Sequence, residues 1–282
     1  MGKIKLGLCQ MTVCRDKAEN LRRAETALRR AAAQGAQLAL LPEMFNCPYE
    51  NACFPVYAEP AGGETWQFLA RMARELGLYL AGGSVPEREG RKVYNTCYLF
   101  SPLGEELARH RKLHLFDIDV PGGQRFKESD TLTAGEQITV VDTPLGRLGI
   151  AICFDIRFSE LFRLMGQQGA QVILVPAAFN LTTGPVHWEL AFRSRAVDNQ
   201  CFVAGCSPAR DPSASYVAYG HSLVCNPWGT VLGGLDEKEG VQVVSLDLDD
   251  LPRYRAQIPI LSGRRTDLYA TVQPKGPAGA AR

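Results

Sequence analysis

Three residues of differing chemistry stand where apolar runs stop. "LALLPEMF" carries Glu43 directly behind an apolar run, "ELARHRKLHLF" sets Lys112 in a strand-like segment, and "LGIAICFD" ends another apolar run on Cys153. A carboxylate delivered at a buried strand end must be paired, solvated or raised in pKa, and the last of these suits a general base. Taken singly, each residue has an ordinary explanation: Glu43 as a helix cap, Lys112 as a charge on an edge strand, Cys153 as an inert buried thiol. Taken together, a thiol, a carboxylate and an ammonium supply nucleophile, base and oxyanion stabiliser without a histidine.

Other chemistries lack their loops. The chain has no G-x-G-x-x-G, no G-x-x-x-x-G-K-[ST] and no G-x-S-x-G, which argues against dinucleotide, P-loop and serine-elbow sites. Cys9 and Cys14, like Cys201 and Cys206, are separated by four residues rather than two, and the four histidines do not form H-E-x-x-H. No zinc site, and no cofactor, is expected. His187 and His221 read as hydrogen-bonded structural groups, Trp188 and Trp228 as packing, and the cysteines other than Cys153 as small buried apolar residues.

The elements that must position these groups alternate. "KIKLGLCQMTV" reads as a strand, "KAENLRRAETALRRAAAQ" as a helix with Ala18, Leu21, Ala24, Leu28 and Ala31 at helical spacing, and "GAQLALLPE" as a strand covered on both faces. "ETWQFLARMAREL" and "LYLAGGSV" repeat the pattern. A second cycle runs through "RLGIAIC", "SELFRLMGQQ", "GAQVILVPAAF", "HWELAFRSRAVDNQ" and "CFVAGCS". "GAQLALLPE" starts at Gly35 and "GAQVILVPAA" at Gly169, an offset of 134 residues (169 minus 35). Two similar strand-helix halves in one unit follow, over residues 1–273. The tail "PKGPAGAAR", 274–282, is expected to be disordered. The Phe116–Ser129 stretch, "FDIDVPGGQRFKES", reads as a long irregular loop and a candidate lid. Open sheets commonly build sites beyond their strand ends, where the crevice lies.

At 282 residues and 22% charged, with 31 Lys and Arg against 30 Asp and Glu, the chain has an ordinary globular composition. A net charge of +1 carries no nucleic-acid footprint. The apolar stretches include no membrane span, and nine cysteines without a leading secretory h-region suggest free thiols in the cytoplasm; a mitochondrial location stays open.

"LALLPEMF", "HRKLHLFDIDVPG", "GIAICFDIRF" and "FNLTTGPVHWELAFRSRAVDNQ" resemble the signature segments of the nitrilase, or carbon-nitrogen hydrolase, superfamily, and with "SYVAYGHS" most closely its omega-amidase branch. The resemblance implies an α+β fold, a four-layer α-β-β-α sandwich, and an oligomer, here a homodimer to which the "HWELAFRSRAV" face is suited. It places Glu43, Lys112 and Cys153 on the family's catalytic triad and Glu128 on its auxiliary glutamate. Phe154 stands where many members have tyrosine; its backbone N–H remains a candidate oxyanion donor.

The activity so implied is hydrolysis of the ω-amide of a small dicarboxylic keto acid, α-ketoglutaramate or α-ketosuccinamate, to the acid and ammonia through a Cys153 thioester. On that reading Lys112 lowers the thiol's pKa of about 8.5, Glu43 takes the thiol proton and later activates water, and Glu128 orients Lys112. Asp155 and Arg157 read first as a charge pair steadying the turn after Cys153; the substrate carboxylate needs a cation, for which Arg157 is the alternative candidate, with Arg125, Lys127 and Arg193 as rivals. Tyr49 either lines the pocket or belongs to the core. The alternatives are a deaminated-glutathione amidase of the same superfamily and, in a different class, a catalytically silent oligomeric interaction protein.

Overall fold

The computed structural model describes residues 2–273; the tail over 274–282 lies outside the described residues. β1 (Lys3–Gln10) leads to α1 (Lys17–Ala33), whose first turn is capped by Asp16 accepting from the amides of Ala18 and Glu19. Then come β2 (Leu38–Leu40), the short α2 (Phe54–Tyr57), α3 (Glu64–Leu76), β3 (Tyr79–Ala81), β4 (Val85–Glu89), β5 (Lys92–Phe100) and β6 (Glu106–Arg111). The second half contains β9 (Thr139–Thr143), β10 (Gly146–Ile150), α4 (Ser159–Gln167), β11 (Val172–Pro176), α5 (Gly184–Asn199), β12 (Phe202–Cys206), β13 (Leu223–Cys225) and β14 (Val231–Gly234). Between the halves lies a hairpin of β7 (Asp117–Asp119) and β8 (Arg125–Lys127), and after them β15 (Gly240–Asp247) and α6 (Leu251–Gln257).

One sheet is ordered β15-β1-β2-β3-β5-β4, with β6 on β5, and the other β14-β13-β12-β11-β10-β9. Each has three parallel strands at its centre: Leu38 pairs with Leu6 and Tyr79, and Val172 with Leu148 and Phe202. Leu38 and Val172 are 134 residues apart, so the repeat read from the sequence is the repeat of the sheets. Both strands are entered through a left-handed glycine, Gly35 at φ 82° and Gly169 at φ 84°, a conformation that strains other residues.

Alternation along the strands makes the four layers. Leu6, Leu8, Leu38 and Leu40 of the first sheet bury with Leu148, Ile150, Val172 and Leu174 of the second. The other face of the first sheet, with Ala39 and Leu80, receives Leu21, Leu28, Phe68, Leu69 and Met72 from α1 and α3. Phe162 and Met165 of α4 and Trp188 and Phe192 of α5 cover the second sheet. A strand buried on both faces has no polar side to show, which is why β2 and β11 are unbroken apolar runs.

Two expectations change. Phe116–Ser129 is not irregular: Asp117, Ile118 and Asp119 pair with Lys127, Phe126 and Arg125 across the Pro-Gly-Gly turn, because a turn of that chemistry lets the flanks close as a hairpin. Trp188 is packing, 1% exposed, whereas Trp228 is 53% exposed; it sits on the turn before β14 rather than on a helix facing the core.

Candidate active site

The strand ends of the two halves deliver their polar groups to one place. Glu43 follows β2, in a loop held against the loop after β3: Ser84 N donates to Pro42 O, Phe45 N to Ser84 O and Met44 N to Ser84 Oγ. Gly83 makes this possible, since it has φ 61° and a Cβ there would fall inside the radius of Pro42 O. Lys112 follows β6, its N–H on Asn95 O (2.8 Å) and its C=O accepting from Gly135 N (2.8 Å). Cys153 follows β10 and starts a single 3-10 turn, Cys153–Arg157, at φ 45°. A non-glycine residue there stores about 1–3 kcal/mol of strain, as functional positions often do.

Glu43, Lys112 and Glu128 are all 0% exposed and Cys153 is 3% exposed. Lys112 Nζ lies 2.9 Å from Glu43 Oε1, 3.0 Å from Glu128 Oε1 and 2.9 Å from Glu128 Oε2. Glu43 Oε1 also accepts from Asn95 Nδ2 (2.8 Å); Glu128 accepts from Tyr49 OH (2.6 Å) and Phe116 N (2.7 Å). Glu43 Oε2 makes no direct hydrogen bond among the described residues. The Cys153 thiol favours the charged form of the Glu43 carboxyl. Ala178 N donates to Cys153 Sγ at 3.5 Å.

The electrostatics follow from burying one cation with two carboxylates. Burial and the Glu128 charge raise the Glu43 carboxyl against the pull of Lys112, so it is a better base than an exposed glutamate. Lys112 is pushed up: burial opposes its charge, but Glu128 and Glu43 outweigh burial. Cys153 is raised as well, by burial first and Glu43 second, with Lys112 and the Ala178 amide pulling the other way. Lys112 does pull the thiol down, as expected, but burial and the Glu43 charge outweigh it, so the net direction favours the protonated sulfur. The arrangement can move that proton to Glu43 as the sulfur attacks, with Lys112 beside the developing oxyanion.

Two hollows meet at Ala178. One, around Cys153, is a crevice too narrow to hold a water molecule, lined by Phe116, Phe154, Arg157, Phe179 and Thr183. The other, a cavity of about 420 Å³, is bounded by Glu43, Tyr49, Glu50, Arg15 and Tyr216. The Arg15–Glu50 ion pair (2.7 Å) closes its rim.

Residues 5–256 match the family model for carbon-nitrogen hydrolases. The chain belongs to the carbon-nitrogen hydrolase family. It is 51% identical over 270 residues to an omega-amidase of Danio rerio, an alignment covering 96% of this chain and 98% of that one. A Saccharomyces cerevisiae protein of branch 10 of the nitrilase superfamily shares the fold at a TM-score of 0.86 with 40% identity, covering 94% and 97% of the two chains. A variant of the amidase from Nesterenkonia sp. AN1, at TM-score 0.78, 31% identity and 94% and 98% coverage, shows Michael addition of acrylamide at its active-site cysteine.

In this carbon-nitrogen hydrolase the four residues read as triad and auxiliary glutamate come together, and Tyr49 joins them through Glu128 as well as lining the larger hollow. Of the four candidate cations, only Arg157 borders Cys153. Arg193 is taken up by Glu189 and Gly229 O on the α5 side, and Arg125 and Lys127 are exposed on the hairpin beside Asp119 and Asp130. The expected Asp155–Arg157 pair does not form. The 3-10 turn points Asp155 inward to His110 and His114, while Arg157 meets His187 Nδ1 (3.1 Å) and the faces of Phe154 and Phe179. His187 and His221 are hydrogen-bonded, as read, the latter to Tyr219 O. Sequence reasoning missed Asn95, the Ala178 amide and the His110–Asp155–His114 cluster. Only the last left a signal, two histidines placed two residues either side of Lys112.

Proposed function

We propose that this chain is an omega-amidase, releasing ammonia from the ω-amide of a small dicarboxylic keto acid such as α-ketoglutaramate. The observation that carries the reading is a thiol, a buried glutamate and a buried lysine converging beside a cation without an acid of its own. Arg157 meets His187 Nδ1 and the faces of Phe154 and Phe179, with no ion pair among the described residues, and it borders the sulfur, so a substrate carboxylate there would supply the missing anion. Burial draws its pKa down, which increases the benefit of acquiring a partner.

The cycle is as follows. Glu43 accepts the Cys153 proton as sulfur attacks the amide carbon, and the C=O becomes an oxyanion stabilised by Lys112 and the Phe154 N–H. The proton passes from Glu43 to the amide nitrogen, the C–N bond breaks, ammonia leaves and a thioester remains. Glu43 then takes a proton from water, whose oxygen displaces the sulfur; the thiol is reprotonated and the acid released. Glu128 holds Lys112 in place throughout, itself held by Tyr49 and Phe116 N. The nine cysteines are all free, which supports a reducing compartment such as the cytoplasm. The exposed Val186 and Leu190 of α5 support a homodimer.

The test is release of ammonia from α-ketoglutaramate and from its neutral analogue without the carboxylate, and release of the amine from a peptide-like N-substituted amide. Wild type should prefer the first. Arg157→Gln should lose about tenfold or more in kcat/KM on it, at the level of a charged hydrogen bond, and little on the neutral amide. Preference for the peptide-like amide would favour the deaminated-glutathione reading, and no release from any amide would leave a silent scaffold. Among the described residues no helix is long and apolar enough to cross a membrane.

A further inference from the structure

One buried carboxylate beside the site is hydrogen-bonded to none of the reacting groups but to the segments that bear them. Asp155 is 0% exposed and receives four hydrogen bonds. Its Oδ1 accepts from His114 N (2.9 Å) and His114 Nδ1 (2.8 Å), and its Oδ2 from His110 Nε2 (3.2 Å) and Ile152 N (3.0 Å). A carboxylate only accepts, so both ring nitrogens facing it carry protons.

The donors are distributed in a telling way. His110 and His114 lie two residues before and two after Lys112, while Ile152 immediately precedes Cys153. One anion thus joins the segment bearing the ammonium to the turn bearing the sulfur. Asp155 N also closes the turn onto Ile152 O (3.0 Å), and the His114 ring stacks on Phe158 at 3.6 Å, extending the grip to the end of the turn. Cys153 itself has the strained φ of 45°, which persists only where surrounding contacts over-determine it.

We propose that Asp155 is a positioning residue, a buried clamp that sets Cys153 in register with Lys112 by binding both flanks of the lysine and the residue before the cysteine. Its charge is fully used, since burial would raise its pKa but the His110 and His114 hydrogen bonds outweigh burial and hold it far below the usual carboxylate range. Asparagine in its place would turn two acceptor lone pairs into donors facing donors. A loosened clamp lets the sulfur move out of near-attack geometry, and a shift of order 1 Å is worth about a hundredfold in rate.

The inference rests on the proposed triad, so one readout must not depend on the substrate. The full chain is compared with Asp155→Asn, His114→Ala and His114→Asn by kcat and KM for α-ketoglutaramate, by the rate of iodoacetamide alkylation at Cys153 located by peptide mapping, and by melting temperature. The clamp predicts a folded Asp155→Asn with kcat down about a hundredfold, a smaller change in KM, and an altered alkylation rate. His114→Ala should share the loss; His114→Asn, whose amide can replace the ring N–H, should recover most of it. A folded Asp155→Asn with wild-type kcat and alkylation would overturn the clamp. If Asp155→Asn does not fold, the His114 pair decides: loss with recovery supports the clamp, and unchanged kcat in His114→Ala refutes it. A wild type that hydrolyses none of the amides would defeat the triad reading instead, and alkylation would still test the clamp.

Discussion

At the residue scale the site is a balance of one buried cation between two buried carboxylates, and its pH response follows from that balance. Glu43 is raised from its ordinary range of about 4.3, and it must be ionised to take the thiol proton. The acid limb of kcat/KM is therefore expected above the usual glutamate range, with activity rising as pH climbs through it. Glu128 contributes to that raising through its charge. In Glu128→Gln the repulsion is gone, so the limb should move to lower pH even as kcat drops from the looser hold on Lys112. A pH–rate profile of both proteins checks the sign, and a limb moving upward would count against the charge argument. Glu43 and Cys153 were legible because each ends an apolar run, which a chain tolerates only with a compensating partner; Lys112, among Arg109, His110 and Arg111, stood out only by its resemblance to the family's segment. The pairing of Asp155 was not legible, because partners thirty or more residues away are chosen by the fold, and the adjacent Arg157 offered a simpler match.

At the element scale the site is as good as the loops that follow the strands. Glu43 is placed by the packing of two such loops on each other, and that packing depends on Gly83 having no side chain and a left-handed backbone. Gly83→Ala should destabilise by more than about 1 kcal/mol, since alanine cannot take the conformation without strain, and should lower kcat through displacement of Glu43. Thermal melting with steady-state kinetics at a temperature where the variant is folded separates the two effects; a variant matching wild type in both would show that the loop contact is dispensable. The central strands β1, β2, β3, β10, β11 and β12 and the helices α1, α3, α4 and α5 were readable from apolar runs and periodicity, whereas β5, β9 and β13 to β15 were not read. The β7–β8 hairpin was missed because its strands are three residues each, too short for alternation to be visible.

At the scale of the whole molecule, two similar halves place strand ends from both sheets at one crevice. The offset of 134 residues between the glycine-led strands was the sequence trace of this, and it survives because both central strands are covered on both faces and so face the same packing demand. The first half contributes Glu43 and Lys112, the second Cys153. What the sequence could only suggest is association. Val186 is 63% exposed and Leu190 62%, on a helix whose other residues Trp188 and Phe192 are core. If a second copy covers this face, Val186→Arg with Leu190→Arg should convert dimer to monomer in light scattering while leaving Cys153 alkylation intact. A double variant with unchanged mass, or a wild type already monomeric, would exclude this face.

The central claim, that Cys153 carries the acyl group, is tested most directly by acid-quenching the enzyme during turnover of α-ketoglutaramate and mapping the added mass by peptide mass spectrometry. The account predicts an acyl group on the peptide containing Cys153, and none in Cys153→Ala. An acyl group on any other side chain, or steady ammonia release from Cys153→Ala, would contradict it.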